Sequence, residues 1–147
     1  MQSPSNVPAV LQSKYGSNVV VVDKGISGLN MPEAAIGAAS ATMPFTQAMA
    51  SSPAHIIGIN LAVHDANQAW ESDYVVTYYL NQLIDVAQAA GKSVFLETPN
   101  PVNTPLYDRI SQIAYIIRTT VQSRSLTLAD HHLWIQTGLP NWQDSLE

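Results

Sequence analysis

Cysteine is absent from this 147-residue chain, which excludes disulfide bonds, thiolate zinc sites and a cysteine nucleophile. Basic residues are also scarce. Six Lys and Arg stand against 11 Asp and Glu, the formal net charge is −5, and no basic run occurs. Because binding to a phosphate backbone requires clustered Lys and Arg, we expect no nucleic-acid partner.

Long apolar runs are absent too, since none approaches the roughly 20 residues that span a bilayer. The opening residues, MQSPSNVPAV, lack the basic and apolar regions of a signal peptide. We therefore expect no membrane span, and the sequence leaves localisation open. The final Leu146 and Glu147 resemble the remnant of a cloning site, so we expect native sequence to end near Ser145.

The chain is rich in apolar residues, and their spacing follows the periods of strands and helices. Hydrophobic residues make up 46% and charged residues 12%, which is typical of a globular protein. At this length we expect residues 1–147 to form a single domain. Strands are predicted at 19–22 (VVVV), 55–61 and 93–97, with a weaker candidate at 125–128. Helices are predicted at 7–15, 31–49 with a break near Pro44, 73–90 and 106–122. This alternation predicts an α/β fold with a parallel sheet.

Ligands of an open parallel sheet bind beyond the carboxyl ends of its strands. The loop DKGISGLN offers a turn with Gly25 and Gly28, and the loop NLAVHDANQ begins with the amide of Asn60. Together their N–H groups could stabilise an oxyanion, as in acyl-transfer enzymes. Two plainer alternatives remain open: that the glycines only form a tight turn, and that Asn60 only caps the backbone that follows it.

The order strand–GISG, strand–GIN, helix–strand–TPNP resembles the SGNH (GDSL-type) hydrolases over residues 8–142. The resemblance implies a three-layer α/β/α flavodoxin-like fold and serine-dependent hydrolysis of a small ester or acyl substrate, without cofactor or metal. It assigns the oxyanion roles to Gly28 and Asn60. The family's Gly-Asp-Ser and Asp-x-x-His segments are missing, and Leu61 stands where an Asp often follows the asparagine.

The resemblance therefore predicts a chain truncated at one or both ends, with the oxyanion half of an active site and at most weak esterase activity. Two alternatives are a non-catalytic binding or assembly module and an inactive fragment. Without the family's opening strand, backbone groups and apolar surface of the sheet would be exposed. We accordingly expect a homo-oligomer that covers this region.

Asp130 and His132, in the cluster Asp-His-His, are the candidates for a substitute acid–base pair, because a catalytic triad is recognised by its geometry. The plainer alternative is that Asp130 caps a helix. Other candidates are weaker: the sequence neighbours His64 and Asp65, and the serines Ser3, Ser5 and Ser27. Adjacent histidines diverge, so a metal site is not expected here.

Overall fold

The computed structural model describes residues 13–16, 18–22, 24, 28–37 and 43–145. Its strands are β1 (Ile56–Ile59), β2 (Ser93–Glu97) and β3 (Thr127–Ala129). Its helices are α1 (Met31–Ile36), α2 (Phe45–Ser51), α3 (Val63–Ala66), α4 (Asp73–Ala89), α5 (Tyr107–Arg124) and α6 (His131–Gly138), followed by a 3₁₀ turn, Trp142–Ser145. No helix in these ranges is long and apolar enough to cross a membrane.

The three strands form one parallel sheet in the order β1-β2-β3, flanked by helices. In its register Ile59 pairs with Leu96, and Glu97 pairs with Ala129. All three strands consequently end at the same edge of the sheet, where the loops that follow them meet. The predicted α/β fold with a parallel sheet is confirmed.

Strands β1 and β2 pack closely because β1 contains a glycine opposite a large aromatic residue. Gly58 pairs with Phe95, and a Cβ atom at Gly58 would lie 2.4 Å from Cζ of the Phe95 ring. The ring therefore covers bare backbone, and any larger residue at this position would push it away. Beside this contact Ile59, Val94 and Leu96 are buried in the core.

The two long helices confirm the predicted apolar stripes. Helix α4 begins at Ser72, whose hydroxyl accepts a hydrogen bond from Val75 N, and it is followed by Gly91 at φ +74°. A left-handed glycine just beyond the last turn ends a helix because it adopts this backbone without a Cβ clash. The buried aliphatic residues of α4 and α5 are Val76, Leu80, Leu83, Ile84, Ile110, Ile113, Ile116 and Ile117. Each contributes about 1.5–3 kcal/mol through burial.

The helix predicted at 31–49 is confirmed as interrupted and consists of two helices, α1 and α2. The first helix already ends at Ile36, well before the break predicted near Pro44, and residues 38–42 lie outside the described residues. Asn30 caps α1 through a capping box, accepting from Glu33 N at 2.8 Å while Glu33 accepts from Asn30 N at 3.3 Å. Gly37 at φ +74° ends the helix, and its missing Cβ leaves room for Pro44. The beginning of α1 thus follows directly on the glycine turn at Gly28.

The strand predicted at 19–22 is not formed. These residues have no strand pairing, and Val20 and Val22 are 74% and 63% exposed. Four consecutive valines satisfy the local preference for extended backbone, but a strand also needs a neighbouring edge that supplies hydrogen bonds. Of the helix predicted at 7–15, the structure describes only 13–15, which are helical.

Candidate functional site

A cleft of about 450 Å³ lies beyond the carboxyl end of β1 and brings the two predicted oxyanion donors together. It lies between the glycine turn and the loop that connects β1 to α3. Its lining residues are Gly28, Leu29, Asn60, Leu61, Ala62, Val63, His64, Asn67 and Leu106. Because Gly28 and Asn60 share this cleft, one small ligand could contact both.

Gly28 has φ +76°, and a Cβ atom built on it would meet no atom within 4 Å. The glycine is therefore required by the left-handed backbone and not by a close approach of another part of the protein. The open space beside Gly28 belongs to the cleft. Gly25 and Ser27, which belong to the same sequence motif, lie outside the described residues.

The amide of Asn60 reaches across the end of the sheet. Its Nδ2 donates to Oε2 of Glu97 at 3.0 Å, and the same oxygen lies 3.2 Å from Nε2 of His131. Register explains the first contact, since Ile59 pairs with Leu96 and the next residues on the two strands are Asn60 and Glu97. The amide is thus placed to hold a negatively charged oxygen, and Glu97 supplies one.

His64 lines the same cleft, and a chain of hydrogen bonds fixes its tautomer. Trp70 Nε1 donates to Oε1 of Gln68 at 3.2 Å, which turns the Gln68 amide nitrogen toward Nε2 of His64 at 3.1 Å. Because that nitrogen donates, Nε2 is the acceptor and the proton lies on Nδ1. In this tautomer the ring can donate a further hydrogen bond from Nδ1.

The loop after Asn60 is strained. Ala62 has φ +125° and is 1% exposed, a backbone conformation that costs about 1–3 kcal/mol for a residue with a Cβ atom. Such strain persists only where surrounding contacts fix the chain. Two contacts do so here: Ala66 N donates to Ala62 O at 2.9 Å, and Asp65 on the same helix accepts from Met31 N at 2.8 Å.

Among the described residues no hydrogen bond joins Asp130 to the ring of His132, and the acid–base pair considered from the sequence stays a prediction. Both oxygens of Asp130 accept hydrogen bonds from Arg118, at 2.8 and 3.0 Å, and one also accepts from Thr98 Oγ1 at 3.0 Å. The same carboxylate caps α6 by accepting from Leu133 N. The Arg118 guanidinium holds the pKa of Asp130 down at about 2. The predicted role as helix cap is confirmed, and the charge of Asp130 is neutralised by arginine.

His132 is 3% exposed and stacks on Tyr107, with ring centroids 6.5 Å apart. Nη2 of Arg118 lies 3.5 Å from its Nδ1, and Oγ of Ser111 lies 3.3 Å from its Nε2. An arginine can only donate, so Nδ1 accepts and Nε2 carries the proton toward Ser111. Burial and Arg118 lower the pKa of His132. With this tautomer Nε2 donates toward Ser111 Oγ, so in this arrangement the ring does not accept a hydrogen bond from that hydroxyl.

Asp65 on α3 and Glu71 just before α4 form a pair of buried acids. Asp65 is fully buried and Glu71 is 3% exposed. Burial, followed by the neighbouring Asp65 carboxyl group, raises the pKa of Glu71 to about 8. The sequence neighbours His64 and Asp65 therefore point to different partners, His64 to Gln68 and Asp65 to the backbone of Met31.

Sequence reasoning missed Glu97, Glu71 and Arg118. Glu97 closes a predicted strand one register step beyond the partner of Ile59, so correct strand pairing would have placed it beside Asn60. Glu71 precedes α4 and has the pattern of an ordinary exposed acid near a helix start, and no local signal marks its burial. Ser3 and Ser5, like Ser27, lie outside the described residues.

No family model and no curated protein matches the sequence. The fold is nevertheless similar to solved structures of ester-cleaving proteins. An acylhydrolase candidate from Bacteroides fragilis is 14% identical with a TM-score of 0.63, over 88% of this chain and 62% of that one. Two single-substitution variants of an acetyl xylan esterase from Geobacillus stearothermophilus are 17% identical with a TM-score of 0.69, over 90% of this chain and 66% of theirs.

The chain thus spans slightly less than two thirds of the length of these structures. At such low identity the likeness shows the α/β fold alone. The fold expected from the sequence is confirmed, and the family resemblance beyond the fold stays a prediction.

Proposed function

We propose that the chain is an SGNH-type ester hydrolase domain whose cleft binds the acyl oxygen of a small carboxylic ester between Gly28 and Asn60. The observation that carries the proposal is that both donors line one cleft at the carboxyl end of β1. The fold it shares with a protein named as an acetyl xylan esterase supports it. The proposal treats residues 1–147 as one domain.

The cleft has the chemistry of a donor site. The Asn60 amide has a second N–H besides the one that it gives to Glu97, and His64 carries its proton on Nδ1. Neutral donors placed where charge develops stabilise the oxyanion of an attacked ester. Among the described residues that line the cleft none carries a hydroxyl or thiol group. The attacking group is then water or a side chain outside those residues, and we expect slow hydrolysis.

A second candidate, a binding module for a carboxylate or acetyl group, is favoured by one contact. Oε2 of Glu97, the oxygen of a carboxylate, already lies 3.0 Å from the Asn60 amide. A ligand carboxylate would replace one such contact by another of the same kind. This candidate needs the same cleft and no nucleophile.

Hydrolysis of p-nitrophenyl acetate by wild type, Asn60→Ala and Asn100→Ala tests the proposal. Loss of one oxyanion donor lowers the rate by about 100- to 1,000-fold, so we expect Asn60→Ala to approach the buffer rate. Asn100 is exposed in the loop after β2 and lies outside the cleft, which makes Asn100→Ala the matched control.

A wild-type rate equal to buffer would reject the hydrolase and leave the binding module, which acetate-induced NMR shifts of the Asn60 side-chain amide would then detect. Equal rates for wild type and Asn60→Ala would reject the role of Asn60. Loss of rate in a folded His132→Ala variant alone would restore the Asp130–His132 pair as a catalytic candidate.

Self-association is the remaining part of the proposal. Within the described residues β1 pairs only with β2, so one of its sides is an unpaired edge. Ile56 on this strand is 65% exposed. Exposed apolar edges pair readily with other chains, and a second copy of the chain would cover this one.

A further inference from the structure

Asp65 and Glu71 are the two most deeply buried acids of the described chain, at 0% and 3% exposure. Asp65 lies on α3, four residues after the strand-end loop begins at Leu61, and Glu71 lies just before α4. An isolated ionised carboxylate is very costly to bury, so such groups are either paired with a cation or neutralised.

Hydrogen bonds account for only one of the four carboxyl oxygens. Oδ1 of Asp65 accepts from Met31 N at 2.8 Å. Oδ2 of Asp65 and both oxygens of Glu71 have no donor among the described residues. Asp65 and Glu71 lie close enough for the charge of one to affect the other, and two carboxylates are both acceptors. A bond between them requires that one of the two holds a proton.

Positive charge near the pair offsets its negative charge only in part, since Arg109 favours the ionised form of Glu71 but not enough to outweigh burial and Asp65. Arg109 on α5 directs its guanidinium to the carboxylate of Asp73, to Gln112 and to the backbone oxygen of Glu71. Glu33 on α1 adds a negative charge. No group of three or more His, Cys, Asp or Glu that could hold a metal ion occurs in the described part of the chain. A proton is therefore the counter-charge that the surroundings leave for this pair.

The pair also joins the two walls of the cleft. Met31, whose N–H is bound by Asp65, begins α1 three residues after Gly28. Asp65 itself follows Asn60 and the strained Ala62 in the other wall. The Met31–Asp65 bond is buried and links positions 34 residues apart, so it fixes the glycine turn against the asparagine loop.

We propose that Asp65 and Glu71 share one buried proton and act as a positioning pair. While the proton is held, this pair keeps the Gly28 turn and the Asn60 loop assembled as one cleft. The proposal concerns the assembly of the cleft and rests on the proposed function only for what the cleft binds. When the proton is lost, two like charges face each other out of water. Their repulsion is relieved if Asp65 turns away and releases Met31, which opens the cleft.

NMR of the full chain tests this without any substrate. Carbon-13 shifts of the Glu71 carboxyl group and nitrogen-15 shifts of the Met31 amide would be followed from pH 4 to pH 10, together with hydrogen-exchange protection of Met31. We expect the Glu71 carboxyl group to titrate well above the usual range of glutamate. The Met31 shift should move in the same step, and its protection factor should fall by about tenfold or more as the contact opens.

Two variants supply the controls. Glu71→Gln keeps a neutral donor beside Asp65, so the Met31 amide should keep its low-pH position throughout. Asp65→Asn keeps the oxygen that accepts from Met31 and gives Glu71 an amide donor. It should therefore abolish the pH-dependent step of the Met31 amide as well. Either variant suffices if the other fails to fold. Asp85→Asn removes an exposed acid of α4 that pairs with Arg124 and should leave the step unchanged.

A Glu71 carboxyl group that titrates near its ordinary value of 4.5 would overturn the shared proton. A Met31 amide that ignores the Glu71 step would overturn the positioning role. Both results are independent of esterase activity, so an inactive wild type would count against the proposed function and leave this inference standing.

Discussion

Asp130 and Glu71 are two carboxyl groups in loops at the same edge of the sheet, and their surroundings are opposite. Asp130, after β3, accepts from Arg118, Thr98 and Leu133 N, and its pKa is lowered to about 2. Glu71, before α4, meets the acid Asp65 and no donor among the described residues, and its pKa is raised to about 8.

The comparison distinguishes an acid that keeps one protonation state over a wide pH range from an acid that has two. A carboxylate whose oxygens all find donors rigidifies its surroundings in one state over a wide pH range. A buried carboxyl group whose partner is another acid has two states, with and without a proton, and they favour different arrangements. Asp130 therefore stabilises the fold around α6, whereas Glu71 lies where the arrangement of the cleft walls can change.

The largest expected effect is on the pH dependence of stability. Glu71 has a raised pKa in the folded state, so its contribution is fully present below its unfolded value of 4.5 and is lost as pH rises toward about 8. Over this window the free energy of unfolding should fall by up to about 1.4 kcal/mol per pH unit. Urea unfolding at successive pH values measures it. Glu71→Gln should flatten this decline, and an unchanged slope in that variant would contradict the assignment.

Asp130 should produce the opposite limb of the same curve. Its folded pKa is depressed, so its stabilisation is present above its unfolded value of 3.8 and is lost as pH falls toward about 2. Asp130→Asn should remove this acid limb and leave the decline at higher pH intact. If both limbs changed together in either variant, the two regions would be coupled and the comparison would fail.

A smaller effect concerns the hydrogen bonds of Asp130 at neutral pH. Asp130→Ala removes the cap of α6 and leaves Arg118 without its partner, and we expect a loss of about 2 kcal/mol. Asp130→Asn can still accept from Leu133 N and should lose about half of that. Thermal unfolding monitored by circular dichroism gives both values. Equal losses for the two variants would show that the cap contributes nothing.

The sequence predicted those parts of the molecule that local signals specify. The apolar stripe of α4 and the stop at Gly91 lie within one segment, and so do the strands β1 and β2. The strand at 19–22 failed because pairing depends on a neighbouring edge. Gly28 and Asn60 line one cleft as predicted, although the strand at 19–22 on which the prediction for Gly28 was based is not formed. Register and burial are non-local, and they decide the partners of Glu97, Glu71 and Asp130.

The two edge strands of the sheet, β1 and β3, also differ from each other. Substitutions on them should have the smallest effect on stability. Ile56 on β1 is 65% exposed, whereas the exposed residue of β3 is the polar Thr127. A charge on an edge strand opposes pairing with another chain. Ile56→Lys should therefore shift the protein toward monomer in size-exclusion chromatography with light scattering, and Thr127→Lys should not. Both changes lie on the surface and should alter the stability of the fold by no more than about 0.5 kcal/mol. A monomeric wild type would reject association through β1. Dissociation by Thr127→Lys alone would show that the chains associate through the β3 edge, on the side of Asp130, and not through the β1 edge.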